Sequence, residues 1–575
     1  MFNLGRIAAL FHALAVAHTL ITPITAFPTD QVISARTAAL FQRSPESRSD
    51  NSILVARTDC SSPPTYNAPA ITDQDFPAYD ATQANFYRYR QQQAVNLGSW
   101  FVHEKWMTAS LFQCASGKKA AEIDIANGWG GVSGARAILE QHWDTFITED
   151  DFKYLASIGI NTVRLPIGYW SLGPDYTKGT PFEAAGAVYQ NSWPRIVRTI
   201  NQANKYNIGV LVDLHGAVGS QNGQDHSGIS DGKVNLFTNT GDQDKTVDVL
   251  TYLTKQLVNV NNVVGIEILN EPKNVAGLIP FYDKAINAMR GVSDAARSFP
   301  LYVHDGFDLT KFSSYIAGRQ DFVVQDHHSY FVYTASDKAK SASQHTADIK
   351  GSIKSQLQSA SNKQHRNLVV DEWSCALSAG ASASAAEDFC NAQMNTYTST
   401  AAGWSFWAYD KDGCANDAGW CFKSAVGKNL PSTFFSYSGS GGKVPDSIAQ
   451  TAKSSRRSDD EHNNLNAPGS SSPSSISQTR SLKRLEKRSR HARVADQKRD
   501  AAQTAQTRGH QDGVQVAKNF ASFNMSKLGF TRQYVHDNLA TLSAGTVQSA
   551  NEDDYATGFI AGLQEGQTDA QNASS

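Results

Sequence analysis

Eight short apolar runs, separated by amphipathic stretches, constrain the fold of this chain more than any other feature of its sequence. Three of them are NTVRLPI (161–167), IGVLVDL (208–214) and NLVVDEW (367–373). The other five are 96–102, 263–269, 301–305, 322–326 and 403–409. Strand–helix alternation predicts a parallel sheet, because parallel neighbours need a crossover that is usually helical. Eight repeats over roughly 330 residues predict an α/β fold, a (β/α)8 TIM barrel.

Polar side chains stand at nearly every predicted strand end. The C-terminal ends of the strands meet at one face of such a barrel, where TIM-barrel enzymes carry their active sites. The residues at these positions are His103, Glu104, Arg164, Asp213, His215, Asn270, Glu271, His304, Asp305, Asp326, His327, His328, Tyr330, Asp371, Glu372, Trp404 and Trp407. We therefore expect a functional site at this face.

Two glutamates stand out because one follows the fourth run and the other lies at the end of the seventh, on opposite sides of the predicted barrel mouth. A pair of carboxyl groups suits glycoside hydrolysis, in which one protonates the leaving oxygen and the other attacks the anomeric carbon. A separation of roughly 5–5.5 Å predicts retention and roughly 6.5–9.5 Å predicts inversion. The pair is Glu271 and Glu372. Glu267 would lie deeper, and we predict a buried, hydrogen-bonded structural carboxylate there.

Longer motifs resemble a known family. The segments NTVRLPIGYW (161–170), VDLHGAVGSQNGQDHSG (212–228), GIEILNEP (265–272) and DHHSY (326–330), with DEW (371–373), resemble the fungal exo-β-1,3-glucanase branch of glycoside hydrolase family 5. The resemblance runs from about residue 95 to 435. It implies a secreted retaining enzyme that removes terminal β-1,3-linked glucose from cell-wall β-glucan.

The resemblance also implies roles for ten residues. Glu271 would be the acid/base, with a raised pKa, and Glu372 the nucleophile, kept ionised. Arg164 would hold the nucleophile through charge-assisted hydrogen bonds, and Tyr330 would donate to it. The other substrate-binding residues implied are Glu104, His215, Asp225, Asn270, His328 and Trp407, with Trp404 as the alternative to Trp407 under the reacting sugar. No metal and no cofactor are expected.

Departures from the family pattern leave the linkage preference open. Asp371 stands in place of the usual glycine before the nucleophile, and it would either face outward by strand alternation or disturb the pKa of its neighbour. Gln224 replaces an aromatic ring that usually clamps the next sugar, while Tyr333 keeps the other clamp position aromatic. A β-1,6-glucan or a glucoside with a non-sugar aglycone therefore stays an alternative substrate.

Two other functions fit the pattern less well. A metal-dependent hydrolase could draw ligands from residues such as His215, His226, Asp326, His327 and His328, but it would leave the two glutamates unexplained. A cell-wall glucan-binding protein without turnover would be expected to lack catalytic positions, and those positions are intact.

The two ends of the chain differ from its centre in composition. Residues 1–26 have the basic start, apolar stretch and small residues of a secretory signal peptide, and 27–75 read as a propeptide or flexible lead-in. Residues 76–440 would form the catalytic domain, 441–512 a low-complexity basic linker, and 513–575 a disordered or partly helical extension. We expect a secreted protein, extracellular or in the cell wall.

Cysteine content and charge narrow the expected location of the protein and the kinds of partner it can have. Six cysteines in a secreted chain favour disulfides. They allow 15 pairings, of which nearness in sequence favours Cys375–Cys390 and Cys414–Cys421, leaving Cys60–Cys114. The net charge of −2 over 575 residues indicates neither nucleic acid nor a membrane surface as a partner. We expect a monomer that acts on β-glucan, without a membrane span.

Overall fold

The computed structural model describes residues 60, 62, 64–72, 74–445, 447–448, 481–541 and 547–574, and side chains in the C-terminal part from residue 497. The predicted signal peptide and most of the predicted lead-in therefore lie outside the described residues.

Eight parallel strands close into a barrel in sequence order, with β8 pairing back onto β1. The strands are β1 Gln92–Asn96, β2 Thr162–Gly168, β3 Gly209–Gly216, β4 Val263–Glu267, β5 Leu301–His304, β6 Val323–Ser329, β7 Leu368–Trp373 and β8 Gly403–Phe406. The predicted TIM barrel is confirmed.

Strand β1 is the one whose position differs most from the prediction. It was expected over 96–102, but it ends at Asn96, and 97–102 form the start of the loop at the barrel mouth. Its glutamines make the true strand look polar. Gln92 is nevertheless buried, because its amide donates to Tyr302 Oη at 2.7 Å inside the barrel.

Helices cover the outside of the barrel. They are α1 Ala81–Tyr89, α2 Glu122–Ala126, α3 Val132–Thr145, α4 Glu149–Ser157, α5 Pro174–Thr177, α6 Ser192–Lys205, α7 Thr240–Leu257, α8 Leu278–Arg290, α9 Leu309–Ala317, α10 Ala335–Ala339, α11 Ala342–Asp348, α12 Lys354–Lys363, α13 Ala383–Thr400 and α14 Phe422–Ala425.

Helix α7 illustrates why these segments are helical. The side chain of Asn239 caps its first turn by accepting from the amide of Gly241 at 2.9 Å. Its buried residues then recur every three or four positions, at Val249, Leu253 and Leu257. This spacing places one apolar face against the barrel.

Strand alternation sends one set of side chains to the helices and the other into the barrel. In β3, Val212 and Leu214 belong to the core between barrel and helices, whereas Leu211 belongs to a second cluster at the N-terminal end of the barrel. By the same period of two, Asp213 and His215 point inward. The strand therefore delivers polar groups to the mouth without exposing its apolar residues.

The C-terminal extension covers the N-terminal face of the barrel, which we call the floor. Its helices are α15 Ser481–Ser522, α16 Thr531–Thr541 and α17 Glu552–Ser574. The predicted boundary between linker and extension, at 512/513, lies inside α15. The charged first part of that helix is rich in Lys, Arg and Ala, which are good helix formers.

Backbone and aromatic contacts attach the extension to the floor. The amide of Gly529 donates to Tyr89 O at 2.8 Å, and the amide of Gln91 donates to Lys527 O at 2.7 Å. The floor cluster joins apolar side chains of both parts: Tyr87, Tyr89, Leu211, Val264, Tyr302, Phe322, Val324, Val369 and Ala402 from the barrel part, and Val516, Phe520, Leu528, Phe530, Val535, Tyr555 and Phe559 from the extension.

The predicted disulfide pairing is confirmed. Cys60–Cys114, Cys375–Cys390 and Cys414–Cys421 are all bonded. Three disulfides are consistent with an extracellular location. In the described ranges, no helix has the length and apolar character needed to cross a bilayer.

Candidate active site

Glu372, the predicted nucleophile, lies near the end of β7 and has donors on both carboxylate oxygens. Arg164 Nη1 donates to its Oε1 at 2.8 Å, and Tyr330 Oη donates to its Oε2 at 2.7 Å. Both donors are mostly buried. Hydrogen bonds of this kind favour the ionised form of a carboxyl group.

Glu271, the predicted acid/base, follows β4 and is held differently. His328 Nδ1 lies 2.8 Å from its Oε1, and His226 Nε2 lies 3.8 Å from its Oε2. Its backbone φ of 42° is in the left-handed region that non-glycine residues rarely adopt. The amide of Asn222 donates to its carbonyl oxygen at 3.1 Å and helps to hold this conformation.

One histidine nitrogen joins the two glutamates. His328 Nδ1 is 2.8 Å from Glu271 Oε1 and 3.4 Å from Glu372 Oε2. These two oxygens can therefore be no farther apart than the sum of the two distances. The nearest oxygens of the two carboxyl groups therefore lie on either side of one imidazole nitrogen, and both groups face the same point of the barrel mouth.

Arg164 connects Glu372, the predicted nucleophile, to the acidic residues of the barrel interior. It forms ion pairs with Asp213 Oδ2 at 3.1 Å and Glu267 Oε2 at 2.7 Å, as well as with Glu372. It also donates to Asn270 Oδ1 at 2.8 Å. The prediction that Glu267 is buried and hydrogen-bonded is confirmed.

The pKa directions of the two glutamates differ from the expectation. Burial raises the pKa of Glu372 to about 7, with the charge of Glu271 adding to the increase. Burial also acts to raise the pKa of Glu271, but the hydrogen bond and charge of His328 outweigh it and lower that pKa below its ordinary value. His328 itself is buried, and yet the charges of Glu372 and Asp326 raise its pKa well above the usual range. Below about pH 7 the carboxylate pair therefore holds one proton, beside a protonated imidazole.

His215, Asn270 and Trp407 line the mouth beside the glutamates. His215 Nδ1 is bonded to Asp213 Oδ2 at 2.6 Å, and its ring stacks on Trp407 with centroids 5.8 Å apart. Burial lowers the pKa of His215 to about 4, which keeps the ring neutral. Trp404 instead packs against Trp373, with centroids 5.7 Å apart, in the core between barrel and helices.

Glu104 and aromatic rings form one side of the mouth. Trp106 Nε1 donates to Glu104 Oε2 at 2.8 Å, and burial raises the pKa of Glu104 to about 7. The charges of Glu372 and Glu271 add to this increase, so Glu104 lies within electrostatic reach of both central glutamates. Tyr333 is 64% exposed and packs edge-on against Tyr330, with centroids 5.7 Å apart.

Asp225 is the predicted site residue that the structure does not join to the others. It is exposed, as is Gln224 beside it. Its side chain makes no hydrogen bond or ion pair within the part of the chain that the structure describes. His226, the next residue, is the one that approaches Glu271.

Asp371 does not face outward, which corrects one of the two expectations for it. Its side chain is 1% exposed, and its carboxyl oxygens have no hydrogen-bond partner among the described residues. Burial, followed by the charge of Asp326, raises its pKa well above the usual range. The barrel strands β6 and β7 shift register between Asp326 and His328, which allows two consecutive acidic residues of β7 to be buried.

The structure adds residues to the predicted site. Asp326 Oδ2 binds His328 Nε2 at 2.9 Å, and the ring of His304 lies 4.2 Å from the ring of His328. His226 was considered only as a metal ligand. All three residues lie at strand ends or in the following loop. This position along the chain is the feature of the sequence that could have marked them as site residues. Their contacts depend on side chains from other strands, which no local pattern reports.

Comparison with known proteins defines the class of this protein. Residues 117–413 match the model of the cellulase family, glycosyl hydrolase family 5. Glucan 1,3-beta-glucosidase 3 of Schizosaccharomyces pombe is 34% identical over 361 residues, which cover 60% of this chain and 74% of that protein. Glucan 1,3-beta-glucosidase of Pichia angusta is 33% identical over 296 residues, 49% of this chain and 64% of that protein. The crystal structure of rutinosidase from Aspergillus niger shares the fold, with a TM-score of 0.50 and 19% identity, over 59% of this chain and 97% of that one.

The chain folds into a TIM barrel that carries two carboxyl groups at its mouth, and its relatives are glycosidases. We conclude that it is a glycosidase. The chain belongs to glycosyl hydrolase family 5.

Proposed function

We propose that this glycosidase is a secreted, retaining exo-β-1,3-glucosidase that releases terminal glucose from cell-wall β-glucan. Glu271 serves as acid/base and Glu372 as nucleophile. The names of the two fungal relatives support the substrate. The predicted signal peptide and the three disulfides support secretion.

One observation carries the mechanism: both carboxylates contact the same nitrogen of His328. This close approach favours retention, for which the carboxyl groups are only roughly 5–5.5 Å apart, over inversion, for which they are roughly 6.5–9.5 Å apart. Direct attack by a carboxylate on the anomeric carbon is the chemistry that such a separation supports.

In the first step Glu372 attacks the anomeric carbon while Glu271 gives a proton to the departing glycosidic oxygen. The reactive form has the shared proton on Glu271 and a negative charge on Glu372. Arg164 and Tyr330 favour this form, because each donates to one oxygen of Glu372. The products are a covalent glucosyl ester of Glu372 and the released remainder of the glucan.

In the second step water replaces the nucleophile. Ionised Glu271 takes a proton from the water, whose oxygen attacks the anomeric carbon and breaks the ester. Glucose leaves with its original configuration, and Glu271 is protonated again. Asn270, held by Arg164, is placed to bond the sugar 2-hydroxyl, and the Trp407 ring, stacked on His215, would lie under the sugar.

The exo preference rests on Glu104. Its carboxylate, held by Trp106, faces the two central glutamates and would bind hydroxyls of a terminal glucose. The linkage is less constrained, because Gln224 is exposed and polar, and of the two predicted clamp positions Tyr333 alone carries an aromatic ring. The missing second aromatic ring makes β-1,6-linked glucan, or a glucoside with a non-sugar aglycone, the second substrate class to test.

The test is glucose release from laminarin by the wild type and two variants. Glu372→Gln should abolish release, and Glu271→Gln should lower kcat by about 10²–10⁴-fold. Proton NMR of the first product should show the β-anomer of glucose before mutarotation. Glu387→Gln, the same change at an exposed position of α13, is the matched control and should behave as wild type.

Three outcomes would contradict the proposal. Release that survives Glu372→Gln would refute the nucleophile, and an α-anomer as first product would refute retention. Binding of laminarin by the wild type without any glucose release would identify a glucan-binding protein. A ladder of oligosaccharides from the first minutes would refute exo action, and faster cleavage of β-1,6-glucan would reassign the linkage.

A further inference from the structure

His304, at the end of β5, has a buried N–H group beside the acid/base. Its side chain is fully buried, and the amide of Gly306 donates to its Nδ1 at 3.0 Å. A neutral imidazole that accepts at Nδ1 carries its proton on Nε2. Yet Nε2 has no hydrogen-bond partner among the described residues. Such a buried donor costs free energy, and it needs an explanation.

The surroundings of this N–H show where a partner can come from. One ring nitrogen of His304, one of His328 and one carboxylate oxygen of Glu271 all lie within 4.8 Å of one another. Because Nδ1 accepts from Gly306, Nε2 is the nitrogen of His304 that is left to donate to the glutamate. His304 and Glu271 therefore lie close to each other, but no hydrogen bond joins their side chains.

The position of His304 is fixed on several sides. It pairs with Asp326 across the β5–β6 ladder, and its carbonyl accepts from Tyr282 Oη at 2.9 Å. The ring of Phe307 covers it, with centroids 5.0 Å apart. Burial and the charge of His328 lower the pKa of His304 to about 4, so it stays a neutral donor at the pH of catalysis. The donor is therefore preorganised.

We propose that the Nε2–H of His304 is a positioning donor that binds Glu271 once this carboxyl group has given its proton to the leaving oxygen. In the first step Glu271 changes from neutral acid to carboxylate, and its attraction for an N–H dipole rises in a site with little water. The unpaired donor thus gains its partner as the covalent intermediate forms. This inference rests on the proposed role of Glu271 as acid/base.

Two substitutions distinguish the contribution of the Nε2–H group from that of the ring itself. His304→Asn keeps an acceptor near Nδ1 for Gly306 but leaves no donor at the position of Nε2. His304→Gln places an amide N–H near the position of Nε2. His345→Asn, the same change at a buried histidine packed against Phe331 outside this site, is the matched control.

The main measurement is the split between kcat and KM on laminarin. Because the donor acts on Glu271 after this carboxyl group has lost its proton, its loss should slow the chemical step and leave substrate binding unchanged. We expect kcat to be reduced about tenfold in His304→Asn, with KM little changed. His304→Gln should recover most of the lost activity.

Other ionisable groups stay in place in both variants. Glu271 faces His226, His328, Glu104, Glu372, Tyr330 and Tyr333. His304 faces His328, Asp305, Asp326 and Glu271. A difference between the Asn and Gln variants therefore reports the donor. An unchanged kcat in His304→Asn, or equal losses in both variants, would overturn the proposal.

A second readout needs no variant at position 304 to fold. Trapping the wild type with a 2-deoxy-2-fluoroglucosyl donor should form the ester on Glu372 and leave Glu271 ionised. The imidazole N–H resonance of His304 should then move downfield in the proton NMR spectrum, and an unchanged resonance would refute the inference. If trapping fails and Glu271→Gln keeps full activity, the proposed function itself is wrong, which is a separate outcome.

Discussion

At the scale of residues, Glu372 and Glu271 differ through their neighbours and not through their chemistry. Glu372 receives one donor on each oxygen, from Arg164 and Tyr330, while Glu271 depends on His328. The close approach of two carboxylates raises the cost of ionising both. The pair therefore behaves as one acid and one base, and their pKa values belong to the pair.

The pH profile follows from this shared proton. Burial and the neighbouring charge raise the pKa of Glu372 to about 7, so the pair holds a proton below that pH and loses it above. Since the first step consumes that proton, kcat/KM on laminarin should fall as pH rises through about 7. A rate that keeps rising up to pH 9 would contradict this assignment.

Glu104 provides the control for that profile, because burial also raises its pKa to about 7. Glu104→Gln should raise KM, since the carboxylate is proposed to hold the sugar, but it should leave an alkaline limb near the same pH. Loss of the limb in Glu104→Gln would assign it to this residue and not to the catalytic pair.

At the scale of elements, the helices of the extension complete the barrel floor. Phe520 of α15 is 2% exposed and packs edge-on against Phe86 of α1, with centroids 5.1 Å apart. Helices α15 and α17 also approach very closely, because a methyl group added at Gly558 would overlap the carbonyl oxygen of Gln506. The extension therefore packs as tightly as a protein core.

Removing one floor side chain should show how much this packing contributes to the free energy of unfolding. Phe520→Ala leaves a cavity between α15 and α1, and we expect the free energy of unfolding to fall by about 3–5 kcal/mol. Gln503→Ala, at an exposed position of the same helix, should change it by less than about 0.5 kcal/mol. Denaturant unfolding measures both, and equal values for the two variants would mean that the floor contacts contribute little.

At the scale of the whole molecule, the active site and the extension lie at opposite ends of one barrel. The mouth carries the glutamates, and the floor cluster buries Tyr89, Phe322 and Val369 under the extension. Without that cover these apolar side chains would form an exposed patch, which promotes aggregation. We therefore expect the extension to contribute to the stability of the enzyme from the end of the barrel opposite the mouth.

A chain ending at residue 448 tests this division. We expect it to be poorly soluble or to melt well below the full-length protein, because its floor cluster faces water. Soluble yield, light scattering and thermal unfolding measure the effect. A truncated protein with the full melting temperature and full activity on laminarin would show that the floor is stable without its cover.

The sequence by itself determined the barrel, the mouth and the pair of glutamates. Alternating apolar runs and amphipathic helices are local patterns, and parallel strands bring their ends to one face whatever the details of packing. The same reasoning placed Glu267 in the interior, whereas the cysteines were paired by their nearness in sequence. It misplaced β1, because the glutamines of that strand are buried by hydrogen bonds to other strands, which local polarity does not reveal.

Only the tertiary structure decided how the residues of the mouth interact. His328 reaches both glutamates, His304 stands beside them with an unpaired N–H, and Asp371 turns into the barrel at a register shift. The packing of the extension against the floor was decided at the same level. These features arise where side chains from distant parts of the chain meet, and their burial and charge exist only once the barrel has closed.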